Sequence, residues 1–449
     1  MTRALFGTDG IRGTAGTFPL DVHTVRRVGA ALVKALPDAG AKLLIGRDTR
    51  ESGEWIEREL AHGARVAGAV VHSIGVAPTP AIAYLTGSHD FDAGVVISAS
   101  HNPYQDNGIK VFSGAGVKYG GHFEEHIEAL IADTSWEVPD GNVTEVPRAE
   151  HLRKYLDHAR TVLPNAGVLG PVRVALDCAN GAMTAVAPAL FRELGFDLTV
   201  IGAEPDGRNI NKDIGSTHPQ TLADIVRKGR HRLGVAFDGD GDRAILVDGS
   251  GRVLDGDHVL LLCAKQMKAE GRLRGNAVVA TVMSNIGLEV ALGKLDIELV
   301  RTQVGDKYVM EEMQKRSLSL GGEQSGHLIF SDCLFTGDGL ITALNVLRVM
   351  AATGRELSDL ADDLTTYPQV LLNIPVRGKP DLLTVPTIAS AMKDVEQRLG
   401  SNGRLLVRYS GTEPLLRVML EGENKDEIDR WARNIADAVR KTIGSGAPP

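Results

Sequence analysis

The sequence predicts a multidomain α/β protein closed by a smaller α+β domain. The chain has 449 residues, too many for one ordinary core at roughly 150 residues per domain, so about three or four compact units are expected. Strand-like aliphatic runs alternate with amphipathic helix-like stretches over most of the length, the pattern of α/β units with largely parallel sheets. From Val370 onward the text changes to VLLNIPV, a helix-like stretch from Pro386 to Leu399, the strands RLLVRY and LLRVMLEG, and a final helix from Lys425 to Ile443.

Three of the α/β units look alike. Lys42 to Gly46 (KLLIG), Val172 to Leu176 (VRVAL) and Ala277 to Val282 (AVVATV) each read as a strand that feeds a polar or glycine-containing turn and then a helix. The helices would begin near Ser52, Ala182 and Ser284, which suggests one domain design used three times. Polar stretches bearing Pro and Gly interrupt the pattern at Val138 to Arg148, Val247 to Gly256 and Leu364 to Pro380. The expected domains are therefore 1–148, 149–250 and 251–366, each α/β, and 367–449, α+β. In the last helix Ile428, Trp431, Ile435 and Val439 recur at spacings of three and four, giving it one buried face. The closing GSGAPP reads as a frayed tail.

Composition narrows the function. Hydrophobic residues make up 43%, charged residues 24% and aromatics 4%, the profile of a globular protein with aliphatic cores. A net charge of −8 argues against a general nucleic-acid binder, which needs excess Lys and Arg. The longest apolar runs, such as Ala277 to Met283, fall far short of the roughly 20 residues of a membrane span. The opening MTRALFGTDG lacks the features of a signal peptide, so a cytoplasmic protein is expected. Cys178, Cys263 and Cys333 lie far apart and read as reduced thiols.

Four loops carry chemistry. The strand Ala93 to Ile97 ends in SASHNPYQDNGIKVF, where Ser100 stands beside His101 on an irregular backbone before Lys110 re-enters a strand. A hydroxyl held there can act as a nucleophile or phosphate carrier, and no GxSxG elbow surrounds it. In GVAFDGDGDR, Asp238, Asp240 and Asp242 alternate with glycines. Three carboxylates so close repel one another unless a cation sits between them, and oxygen-only ligands suit Mg²⁺ or Ca²⁺. The calcium-loop template fails, because its Gly and Glu positions are Arg243 and Gly249. Arg243 beside the site could hold a phosphate oxygen. In GGEQSGHLIF, Glu323 and Ser325 are apt partners for vicinal sugar hydroxyls. In RYSGTEPLLR, Ser410, Gly411 and Thr412 between Arg408 and Arg417 make a phosphate nest. Together the four describe phosphoryl transfer to a sugar phosphate.

With FGTDGIRG, SASHNP, DGDGDR, GGEQSGH and RYSGTEP in this order along essentially the whole chain, the sequence resembles the α-D-phosphohexomutase family. That resemblance implies four domains around a central cleft, the fourth of a TATA-binding-protein-like α+β design. It implies an isomerase, an intramolecular phosphotransferase, with Ser100 as the phosphoserine. Its phosphate would complete a site for one Mg²⁺ held by Asp238, Asp240 and Asp242. Glu323 and Ser325 would read the sugar O3 and O4. Arg408, Ser410, Gly411, Thr412 and Arg417 would hold the non-reacting phosphate, while Thr8, Arg12, His101 and Lys110 would line the reaction centre.

The Gln of GGEQSGH and the opening FGTDGIRG resemble the branch acting on glucosamine phosphates, which serves amino-sugar nucleotide and cell-wall precursor synthesis. Glucosamine 1,6-bisphosphate would be the intermediate and activator. The glucose and mannose branches are the alternative, and a non-catalytic phosphosugar-binding protein is a reading from another class. His101 and Lys110 stand equal as general base. The partner implied is a small phosphosugar, with neither nucleic acid nor membrane; a homodimer is left open, and Ser100 would be charged by an activating kinase or by autophosphorylation. Two positions depart from the family pattern: Lys307 stands where Arg is common, and Tyr409 replaces Lys or Pro. Lys307 lacks the bidentate fork of Arg, which would weaken phosphate positioning there.

Overall fold

The computed structural model describes residues 5–7, 9–37, 40–141, 151–400, 403–410 and 414–445. The three look-alike runs occupy the same place in three sheets. Lys42–Arg47 lies between parallel neighbours Val70–Val76 and Ala93–Ile97. Arg173–Asp177 lies likewise between Asp197–Ile201 and Leu233–Phe237, and Ala277–Thr281 between Glu298–Thr302 and Leu320–Gly322. In each sheet one of those neighbours then turns straight back. Ala93–Ile97 pairs antiparallel with Asp106–Ser113, Leu233–Phe237 with Ala244–Asp248, and Leu320–Gly322 with Leu328–Phe330.

The sheets are therefore mixed, where the sequence reading expected them largely parallel. The reason is chain length: 98–105, 238–243 and 323–327 are too short for the crossover of a dozen or more residues that a parallel return needs. Those three short returns are the serine, aspartate and Glu323 loops. The repeat thus places each reactive loop at the same end of an equivalent strand. The strands above them are solidly apolar: Leu43, Leu44 and Ile45, like Ala93, Val95, Val96 and Ile97, have no exposed surface. Burial on both faces is what helices on either side of such a sheet impose.

The first two expected helix starts lie where the sequence reading put them, and only the third is set by a side-chain cap. Ser52 precedes the helix Gly53–Val66, and a short 3₁₀ turn at Ala182–Ala185 leads into Ala187–Glu193. The third helix begins at Ile286 rather than Ser284, because the Asn285 side chain accepts the Gly287 N–H and caps it.

The chain forms two compact units, Met1–Ser284 with Leu295–Asp363, and Asn285–Lys294 with Leu364–Pro449. In the second, a three-stranded antiparallel sheet of Gln369–Pro375, Leu415–Gly422 and Gly403–Tyr409 packs against the helices Pro386–Leu399 and Lys425–Thr442. Ile428, Ile435 and Val439 are buried there and Trp431 half-buried, so the spacing in the last helix located its inner face. The helix Ile286–Gly293 joins this unit through Glu421, a buried carboxylate that accepts the Ile286 N–H at 3.1 Å. Part of the expected frayed tail is tied down: Gly444 pairs with Val376, and the Ser445 N–H donates to Pro375 O. Residues 446–449 lie outside the described residues. No described helix is long and apolar enough to cross a membrane. Cys178 and Cys263 are buried and Cys333 half-buried, all unpaired.

Candidate active site

Ser100 sits at the tip of the 98–105 return with φ of 52°, a left-handed conformation that is costly for a residue with a side chain. Its hydroxyl donates to Asp238 Oδ2 at 2.5 Å, and His101 Nδ1 lies 3.3 Å away. The serine loop and the aspartate loop therefore meet, although 138 residues separate them along the chain. The approach requires glycine at 239: a Cβ there would stand 2.6 Å from Ser100 O. Gly241 supplies the positive φ, 73°, that carries the turn past Asp240.

Asp238, Asp240 and Asp242 are buried, and one oxygen of each lies within 4.8 Å of the others. Asp238 is engaged through both oxygens, accepting from Ser100 Oγ at Oδ2 and from the Arg243 N–H at Oδ1 at 3.2 Å. Asp240 Oδ2 accepts from Lys110 at 2.8 Å and from Thr79 Oγ1 at 2.6 Å. Asp240 Oδ1 and Asp242 Oδ1 are buried without a donor. Two orphaned carboxylate oxygens in a cluster of three suit a hard divalent cation, which takes oxygen ligands and repays their desolvation. Among the described residues this is the sole cluster with metal-ligand spacing.

The charges divide sharply. Burial, with Asp242 and Asp240 close by, holds the Asp238 carboxyl well above the ordinary range. Burial pushes Asp242 the same way, but Lys110 and His327 outweigh it and hold that carboxyl well below. Burial works against the Lys110 ammonium, yet Asp240, Asp9 and Asp242 overcome it and keep the group protonated far into the alkaline range. His101 is pushed down to about 4 by burial and by the guanidiniums of Arg243 and Arg12. The ring is thus neutral near pH 7, whereas Lys110 is locked as a cation.

Arg12 reaches the same centre, donating to Ala99 O at 3.1 Å and pairing with Asp9. Arg243 is half-buried, its Nε 3.8 Å from Asp242 Oδ1. These groups and Glu323 line a cavity of about 440 Å³. Glu323 is fixed by the Gly305 N–H at 3.1 Å and receives a long bond from Ser325 Oγ at 3.4 Å. Ser325 itself is exposed.

In the second unit, Arg408 and Arg417 are direct cross-strand partners. Like charges opposite each other are unfavourable in a sheet, and burial followed by Arg417 lowers the Arg408 pKa. An anion bridging the pair would relieve both. Ser410 opens the turn, its N–H donating to Leu415 O at 2.8 Å, with Lys379 Nζ on its carbonyl at 2.6 Å. Thr8, Gly411 and Thr412 lie outside the described residues. Lys307 is engaged with Glu124 at 2.6 Å, and Tyr409 donates its hydroxyl to Pro380 O at 2.8 Å.

Sequence reasoning passed over Asp9, Thr79 and Lys118. Asp9 stands between Lys110, Lys118 and Arg12, and the motif FGTDGIRG that contains it was the available signal. Lys118 also pairs with Asp306, joining the first and third α/β segments. Thr79, in an ordinary-looking APTPA, had no signal, since its partner Asp240 lies 161 residues away.

The whole chain finds counterparts among known proteins. Models of the phosphoglucomutase/phosphomannomutase family match in series: alpha/beta/alpha domain I over residues 3–137, domain II over 153–251, domain III over 255–367 and the C-terminal domain over 371–438. A phosphoglucosamine mutase of Syntrophus aciditrophicus is 47% identical over 446 residues, covering 98% of this chain and 99% of the relative. That of Solibacter usitatus is 48% identical, covering 99% and 100%. Among solved structures, a phosphoglucomutase/phosphomannomutase family protein from Burkholderia thailandensis shares the fold with a TM-score of 0.82 at 23% identity, covering 99% of this chain and 100% of that one. An Aspergillus fumigatus N-acetylphosphoglucosamine mutase, solved with GlcNAc-6P and magnesium, matches with a TM-score of 0.67 at 18% identity, covering 97% and 95%.

Proposed function

The chain belongs to the phosphoglucomutase/phosphomannomutase family, and we propose that within it the protein interconverts glucosamine 6-phosphate and glucosamine 1-phosphate. The observation that carries the chemistry is the 2.5 Å bond from Ser100 Oγ to Asp238 at a buried aspartate cluster. Sugar choice rests on relatives named as phosphoglucosamine mutases at 47% and 48% identity over nearly the full chain.

Ser100 in its phosphorylated form is the phosphoryl donor. The free O1 hydroxyl of glucosamine 6-phosphate attacks phosphorus, the bond from phosphorus to Ser100 Oγ breaks, and the hydroxyl proton passes to the neutral ring of His101. The resulting 1,6-bisphosphate reorients, and Ser100 Oγ then takes the 6-phosphoryl group, leaving glucosamine 1-phosphate. His101 is preferred to Lys110 as base because Lys110 is saturated by three carboxylates. A Mg²⁺ ion held by Asp238, Asp240, Asp242 and the serine phosphate would supply charge neutralisation at the transferring group. Lys110, Arg12 and Arg243 position that group by fixed positive charge. Glu323 and Ser325 orient the sugar hydroxyls, and Arg408, Ser410, Gly411, Thr412 and Arg417 hold the phosphate that is not reacting. The protein acts in the cytoplasm, and Ser100 is first charged by autophosphorylation or a kinase; a homodimer is compatible with this reading.

Two measurements test it. Rates on glucosamine, glucose and mannose phosphates compared side by side should favour glucosamine, and a dominant glucose or mannose activity would overturn the substrate. Intact-mass analysis should show one phosphate lost in Ser100→Ala together with activity; an active Ser100→Ala protein sinks the phosphoserine route.

A further inference from the structure

The loop that holds Ser100 is gripped by a buried arginine from another strand end. Arg50 lies in GRDTRES, beyond the strand Lys42–Arg47, and its side chain has no exposed surface. All five of its guanidinium N–H groups are used. Nε donates to Asp48 Oδ2 at 2.8 Å, Nη2 to Ser100 O at 2.9 Å and Asn102 O at 2.8 Å, and Nη1 to Asp106 O at 2.9 Å and to Pro103 O. Three of the five acceptors are therefore carbonyls of the serine return, and a fourth is that of Asp106, the first residue of the strand that follows. Only a planar fork with five donors can serve so many convergent oxygens.

The amide side of Ser100 is fixed by the same segment. Asp48 Oδ2 accepts from Ser98 Oγ at 2.5 Å, and Ser98 Oγ in turn accepts the Ser100 N–H at 2.9 Å. Both ends of a residue in a left-handed conformation are thus tied to GRDTRES, which explains how φ of 52° persists without glycine. Alternate residues of the segment face the other way. Thr49 donates its hydroxyl to Asn180 O at 2.5 Å, and the Glu51 N–H donates to Gly207 O at 3.0 Å. Asn211, from that same second α/β segment, adds a further bond to Ser100 O at 2.9 Å. One short stretch therefore holds the serine loop on one side and the scaffold next to the aspartate loop on the other.

We infer that Arg50, acting with Asp48 and Ser98, is a positioning residue for phosphoryl transfer: it sets Ser100 Oγ against the aspartate cluster without touching substrate. The inference rests on Ser100 as the phosphoryl carrier. It predicts a kinetic signature that loss of packing would not give, because the sugar-phosphate contacts lie elsewhere.

The test uses the full chain, charged with a hexose 1,6-bisphosphate and assayed well below its unfolding midpoint. Arg50→Lys keeps the charge but cannot span four carbonyls. Its kcat and its single-turnover rate of transfer from phosphoserine should fall together by about 100-fold, the usual cost of a misplaced reacting group. KM should stay within about threefold of the parent. Ser98→Ala, which removes the hydroxyl that links Asp48 to the Ser100 N–H and leaves the Arg50 contacts in place, should lower kcat by about tenfold with the same flat KM, and it decides the matter if Arg50→Lys does not fold. Parental kcat in the folded variants overturns the inference, as does a rise in KM matching the fall in kcat. Ser100→Ala runs alongside: if it is active, the phosphoserine reading itself has failed, whereas an inactive Ser100→Ala with parental Arg50→Lys and Ser98→Ala removes the positioning role alone.

Discussion

Asp338 offers a quantitative check on how this fold handles buried charge. It caps the helix Gly339–Thr353, accepting the Ile341 N–H at 3.0 Å and the Tyr155 hydroxyl at 3.1 and 3.0 Å, and is 2% exposed. Burial lifts its pKa from 3.8 to about 7, against the pull of the Ile341 N–H and Tyr155. The native state therefore holds a proton that the unfolded chain has already released. This contribution is fully present below the unfolded value and is lost as pH rises through about 7. A rise of about three units corresponds to roughly 4 kcal/mol in all, and on the order of 3 kcal/mol of it falls between about pH 5 and pH 8. Asp338→Asn removes the titration while keeping a good capping oxygen. Thermal unfolding of parent and variant across that range should show the variant several degrees more stable near pH 8, with the gap narrowing toward pH 5. Parallel pH curves would refute the reasoning, since the buried carboxyl would then not be what titrates.

Three further outcomes bear on the site. Thr79→Val strips one donor from Asp240, so isothermal titration should show Mg²⁺ affinity weakened by about 10-fold to 100-fold, the usual effect of removing a hydrogen bond to a metal ligand. Lys110→Met leaves Asp9, Asp240 and Asp242 without their shared cation; without metal it should lose about 3–5 kcal/mol of stability, and Mg²⁺ should raise its unfolding temperature more than the parent's. Arg408→Ala removes one of two facing guanidiniums, and steady-state kinetics should show a rise in KM of about 10-fold or more with a smaller change in kcat.

The candidate loops were legible in the sequence because the residues of each are close together in the chain. The spacing of Asp238, Asp240 and Asp242 alone suggested a cluster able to hold a cation, and the structure brings one oxygen of each within 4.8 Å of the others. The repeat of three α/β units was also readable, since KLLIG, VRVAL and AVVATV mark in each sheet the strand that lies between two parallel neighbours. What pairing and three-dimensional approach decided was the rest. The antiparallel returns could not be read from strand periodicity, which reports burial and not direction. The grip of Arg50 on four carbonyls, the bond from Thr79 to Asp240 and the bridging of Lys110 and Lys118 by Asp9 join residues far apart in the chain. Their sequence surroundings carry no trace of the partner, because a hydrogen bond depends on where two groups end up and only the folded backbone sets that distance.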